Sequence, residues 1–254
     1  MHSEERFHEI EQKLLEESEE YDNSHPNGQL GRTLLTTAEV LARVQQKVHR
    51  NIYDEIDEQH QYQDIFFSKG VNALFALYRL VKHNQYDAAY REVRYLFESY
   101  LVIKGLNRDK NEAARILKRQ KEEIQNIDAD KGQVERVLHE YESVDDLHDI
   151  LSDEKSKLKD MDPTYGKIYN FLSNRSTHPV RIEGASLDGD RSDVEETQLL
   201  KWGILLGFGL AQQFLVTYYE TSAKDLIMKE TEPTIEHIEA VIPEGVPTFL
   251  TDSY

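Results

Sequence analysis

The chain has 254 residues, with 48 Asp and Glu against 30 Lys and Arg, a formal net charge of −18, and no cysteine. Without cysteine it forms no disulfide, thiolate metal site, iron–sulfur cluster or thiol nucleophile. So acidic a chain lacks the positive field that coats nucleic acid or an anionic membrane, although a local basic pocket stays open to it.

The N-terminal run MHSEERFHEIEQ has neither a basic n-region nor an apolar h-region, so a cytoplasmic location is expected. Residues 3–20 read as a charged helix with Phe7, Ile10, Leu14 and Leu15 as a narrow apolar stripe. The following DNSHPNGQLGR is rich in Asn, Gly and Pro and reads as a linker, which makes 1–33 a helical appendage. Residues 34–228 are expected to form one helical bundle domain and 229–254 an acidic tail with one short helix.

Thr36 or Thr37 is expected to cap a long helix reaching about His60, with Val40, Leu41, Val44, Val48, Ile52 and Ile56 along one face. A second runs over 63–83 and stops at Asn84, and a third follows over 85–106 after a very short turn. Short turns make antiparallel neighbours. Asn107 to Lys110 breaks the pattern. Two highly charged helices, 111–126 and one from about 133 to Leu151, then read as a peripheral hairpin with a solvated face. Pro163 opens a short helix that must stop before Pro179. Asp193 is expected to cap the last long helix, LLKWGILLGFGLAQQFLVTYY. Its clean apolar run is short for a bilayer, so a buried bundle helix and no membrane contact are expected. Its glycines suit close helix approach, and a homodimer with this helix near the interface is expected. The fold class is therefore all-α.

Asp87 to Leu106 is apolar almost all round, which marks a central helix with neighbours packed about it. Arg94 and Glu98 are its interior charges, at i and i+4 on a stripe shared with Asp87 and Arg91. Charges there need partners. An intrahelical ion pair and a half-buried polar site both fit.

Chemical motifs are few. There is no phosphate-cradling GxxxxGK[ST], no strand-linked GxGxxG and no G-x-S-x-G elbow. Glu5-x-x-His8 and Asp145-x-x-His148 lie off the core helices, so no metal and no cofactor is expected. His49, His60, His83, His237 and most other histidines sit in polar runs and read as surface residues. His178 differs, because it ends the short helix containing Tyr165, Ile168, Tyr169, Phe171 and Leu172. Asn174 and Arg175 precede it by four and three residues. A helix C-terminus and a nearby Glu98 would both favour its protonated form.

The Arg94-x3-Glu98 helix, followed by F-L-S-N-R-S-T-H-P at Phe171 to Pro179, resembles the HEPN-like helical superfamily. It is similar to prokaryotic members with an Arg-x3-Glu helix and a later L-S-x-x-x-H-P-like segment. The resemblance implies a bundle of four or more helices, often dimeric, and in many members a metal-independent ribonuclease of toxin–antitoxin or defence systems. It also implies a general acid–base role for His178 towards a ribose 2′-hydroxyl, with Arg94 or Arg175 stabilising the crowded phosphate and Glu98 in the same cluster. Arg91 and Asn174 would contact substrate. The partners implied are an RNA in a local pocket and an antitoxin or other protein. The superfamily signature places four to six residues between its arginine and histidine. Here Arg175-x-x-His178 has two, and Asn174 precedes the arginine. The alternative is a catalytically silent bundle in which Arg94, Glu98 and His178 form a structural polar network.

Overall fold

The structure is a computed structural model, and it describes residues 26–52, 55–108, 115, 145–161, 169–172 and 189–242. Among these there is no strand. The helices are α1 (Gly28–Asn51), α2 (Glu58–Lys82), α3 (Tyr86–Arg108), α4 (Asp145–Met161), α5 (Gly189–Thr217) and α6 (Lys224–Val241), with one helical fragment at 169–172. The expected N-terminal helix, the first member of the charged hairpin and the segment from 173 to 188 lie outside the described residues, apart from Arg115.

α1 begins at Gly28, inside what reads as a linker and well before the expected Thr36 cap. Local propensity argues against it, and tertiary packing overrides. Asn27 makes no side-chain cap; its Oδ1 instead accepts from Thr197 Oγ1 of α5 at 2.8 Å. Gly31, Leu34 and Leu35 are buried one turn on. Thr37, a candidate cap, is buried inside the helix and donates its hydroxyl back to the Thr33 carbonyl at 2.8 Å.

α1 also ends earlier than expected, at Asn51, because Asp57 starts α2. The Asp57 carboxylate accepts from the His60 backbone N–H at 2.8 Å, and the His60 ring accepts from the Asp57 N–H, a capping box built with histidine. α2 stops where expected. Asn84 takes φ 57°, the left-handed conformation that Asn tolerates, and Gln85 N–H reaches back to the Leu80 carbonyl at 2.8 Å. α3 then turns back at once to lie along α2.

The expected central helix is central. α3 packs on α2, α4 and α5, and it buries Val93, Leu96, Phe97, Tyr100, Leu101, Ile103 and Leu106. α5 packs on α1, α2 and α3. It is long and apolar enough to cross a membrane over Val194–Thr217, yet most of that window is buried inside the bundle, the pattern of a core helix. Its glycines are used within the chain. A Cβ on Gly203 would meet Leu77 Cδ2 at 2.5 Å and Leu34 Cδ1 at 2.8 Å, and one on Gly207 would meet Thr37 Cγ2 at 2.9 Å. Gly203 and Gly207 thus serve close approach of α5 to α1 and α2 within the chain.

Asn107, expected to break the third helix, lies inside it. Its Oδ1 accepts from Gln63 Nε2 at 2.6 Å and Thr217 Oγ1 at 3.1 Å, while its Nδ2 donates to Gln213 at 3.0 and 3.1 Å. One amide thus joins α2, α3 and α5. The segment 224–241, most of it expected to be tail, is a helix that buries Ile227, Thr231 and Ile238 against α1 and α5. Pro233 sits on its exposed side.

Candidate functional site

The site grows from the charged stripe of α3. One helical turn brings Arg94 over Glu98, and Arg94 Nε donates to Glu98 Oε1 at 2.9 Å. Both side chains are half-buried, at 26% and 23% exposure, so the intrahelical ion pair and the half-buried polar group, expected as alternatives, are one and the same. The same Glu98 oxygen accepts the Tyr169 hydroxyl at 2.7 Å. Lys155 of α4 donates to that hydroxyl at 2.5 Å, with its ammonium 3.8 Å from the Tyr169 ring centroid. The Arg94 guanidinium lies over the same ring at 5.9 Å, and the Phe97 ring stands 6.0 Å from it. Two cations, one phenol and one carboxylate therefore meet from three segments of chain.

The electrostatics follow from this arrangement. Burial, reinforced by the hydrogen bond to Glu98, pushes the Tyr169 hydroxyl up to about 12. It stays a donor at neutral pH. Burial pulls the Lys155 ammonium below its ordinary range, and the Arg94 charge adds to this while Glu98 opposes it. α4 is fixed at its other edge by Arg108, which pairs with Asp153 at 3.3 Å and with the buried Glu154.

Beside Tyr169 opens a cavity of about 310 Å³. One wall is a face of α4 carrying Ser152, Lys155, Ser156 and Lys159; Tyr169 and Asn170 complete its polar lining. Positions i, i+3, i+4 and i+7 share a helix face, which is why these four line up. The arrangement is a set of hydrogen-bond donors with two ammonium groups, suited to an oxyanion.

Of the residues expected at the site, the structure brings Arg94 and Glu98 together and leaves Arg91 exposed on α3, next in sequence to Glu92. Burial raises the Glu92 carboxyl, with Arg91 opposing. His178, Arg175 and Asn174 lie outside the described residues. Tyr169 and Lys155 were missed as site residues. Tyr169 read only as a member of the short helix before Pro179, and Lys155, just past the Leu151 end of the expected hairpin, was assigned no role. The available signal was the Ser-x2-Lys-Ser-x2-Lys spacing of α4.

Three histidines read as surface residues are engaged, among them His237, whose Nε2 lies 3.1 Å from the Thr33 hydroxyl. His49 pairs with the buried Asp64, and the His60 ring stacks on Tyr218 with centroids 4.9 Å apart. Polar neighbours in sequence say nothing about which face of a helix a histidine occupies. Among the described residues no group of three or more His, Asp and Glu could hold a metal ion. Comparison with protein families, curated proteins and solved structures finds no match to this chain.

Proposed function

We propose that the chain is a HEPN-like protein that engages an RNA phosphodiester at the cavity beside Tyr169 and cleaves it without a metal. The observation that carries this reading is the cation-lined wall of α4. In a chain of net charge −18, Lys155 and Lys159 with Ser152 and Ser156 line one cavity together with Tyr169 and Asn170. Lysines and hydroxyls at a phosphate fix position and supply charge, and they read no base sequence. Arg94 and Glu98 hold Tyr169 in place from behind. His178, six residues beyond Leu172 in the chain, is the general acid–base group of the proposal, with Arg175 or Arg94 stabilising the phosphate.

The second reading is a silent scaffold. It is favoured by the way Arg94, Glu98, Tyr169 and Lys155 satisfy one another, which a purely structural network would also do.

A single-stranded RNA oligonucleotide in a metal-chelating buffer separates the readings. Cleavage by the wild type, lost in His178→Ala with binding retained, supports the enzyme. Lys159 is exposed, so Lys159→Ala should keep the fold while weakening RNA binding and lowering its salt dependence. Binding without cleavage supports the scaffold. No binding by the wild type at low salt overturns the RNA reading altogether.

A further inference from the structure

The cavity beside Tyr169 also singles out a proton donor, an inference that rests on the RNA reading above. Metal-free cleavage at a ribose 2′-hydroxyl moves two protons. One leaves the attacking hydroxyl, and one must reach the departing 5′-oxygen, which otherwise leaves as a strongly basic alkoxide. With no metal to take up that charge, a side chain has to supply the second proton.

Among the described lining residues few can. Ser152, Ser156 and Asn170 do not ionise near neutral pH. The Tyr169 hydroxyl gives its proton to Glu98 Oε1 at 2.7 Å, and its pKa is pushed up to about 12. Two ammonium groups remain, Lys155 and Lys159. Lys159 is exposed, whereas Lys155 is half-buried and fixed. Because the Tyr169 proton is committed to Glu98, the phenol oxygen accepts from Lys155 Nζ, at 2.5 Å, with the ammonium 3.8 Å from the ring centroid. An ammonium carries three N–H donors, so two others are left for the cavity that Lys155 lines. The groups facing it are Tyr169 and, from α3, Glu98 and Arg94. Burial first, and then the Arg94 charge, lower its pKa against the pull of Glu98, which makes its proton easier to give.

We propose that Lys155 is the general acid of the cleavage, delivering an ammonium proton to the departing 5′-oxygen. The 2′-oxygen bonds to phosphorus while its proton goes to the general base of the RNA reading. The bond from phosphorus to the 5′-oxygen breaks, and its electron pair takes the Lys155 proton. The products are a 2′,3′-cyclic phosphate and a 5′-hydroxyl. Lys155 is left as a neutral amine, which water reprotonates as the base gives up its own proton.

The test compares a single-stranded RNA with the same RNA carrying sulfur in place of one 5′-oxygen, in metal-chelating buffer and at saturating enzyme. A thiolate leaves without a proton, so the sulfur linkage does not need the general acid. Lys155→Gln and Lys155→Arg are the variants, the second keeping a donor to Tyr169 but having no proton to give. Both are expected to slow cleavage of ordinary RNA by about 10²-fold. Both are expected to cleave the sulfur linkage within several-fold of wild type, which also shows that they fold. Lys159→Ala, by contrast, should weaken binding of the two RNAs alike. Equal slowing on both RNAs by the Lys155 variants, or unchanged cleavage of ordinary RNA, overturns the proposal and leaves the RNA reading standing. A wild type that cleaves neither RNA overturns that reading and this proposal with it.

Discussion

Tyr169 and Glu98 stand 71 positions apart, yet the Tyr169 hydroxyl donates to Glu98 Oε1 at 2.7 Å, the same oxygen that Arg94 Nε reaches at 2.9 Å. A pair that reads as local to α3 is thus the anchor for a distant segment. Lys155 on the far side of the phenol extends the junction to α4.

Tyr169→Phe keeps the ring beside Phe97 and under both cations but removes the hydroxyl, so Glu98 loses one of two donors. A loss of about 1 kcal/mol in urea unfolding is expected. Glu98→Ala leaves both Arg94 and Tyr169 without their acceptor and should cost more, about 1–3 kcal/mol. Equal stability of both variants and wild type would mean that water replaces these bonds and that the junction is not structural.

Asn107→Ala removes the amide shared by Gln63, Gln213 and Thr217. Gln63 and Gln213 are nearly inaccessible to water, so their stranded groups find no substitute. A destabilisation of about 1–3 kcal/mol is expected in chemical denaturation, with loss of the all-or-none transition as a further sign that α2, α3 and α5 have come apart. A variant as stable as wild type would show that the three helices are held by apolar packing alone.

The apolar spacing of α2, α3 and α5 made the bundle legible, because Val93 to Leu106 has neighbours on nearly every side and its sequence says so. The start of α1 was not legible. PNGQLGR looks like a linker, and it is long-range contact, the burial of Gly28 and Gly31 together with the bond of Asn27 to Thr197 170 positions away, that makes a helix there worthwhile. Asn107 misled for the same reason, since its partners come from other helices. At the site, Arg94 and Glu98 were legible as charges on an apolar helix, whereas Tyr169 and Lys155 gain their meaning from one another. The Asp64–His49 contact joins two helices across 15 positions and left no mark in local composition.

Gly203→Ala tests whether the glycines of α5 serve the core or an interface. The new methyl would run into Leu77 and Leu34, both fully buried and unable to swing aside. Overpacking of this kind costs about 1–3 kcal/mol, and a lowered melting temperature by circular dichroism is expected at any protein concentration. A loss that grows on dilution would instead place Gly203 at a contact between two copies.

The last prediction concerns His49. Its hydrogen bond to Asp64 raises its pKa above the ordinary 6.5, burial opposes this, and the Asp64 charge reinforces it. A group whose folded pKa is raised contributes stability fully below the unfolded value and loses it as pH climbs through the folded one. The advantage of wild type over His49→Ala in urea unfolding is therefore expected to be greatest below about pH 6.5 and to shrink as pH rises above it. The imidazole is 43% exposed, so water screens the pair and the change is smaller than for a wholly buried one. Tyr218 does not titrate in this window, because burial first and then Asp64 hold its hydroxyl far above the usual phenol range. Asp64→Asn should remove the pH dependence together with the pair. If the two proteins keep a constant difference from acid to alkaline pH, the His49–Asp64 contact does not form in solution.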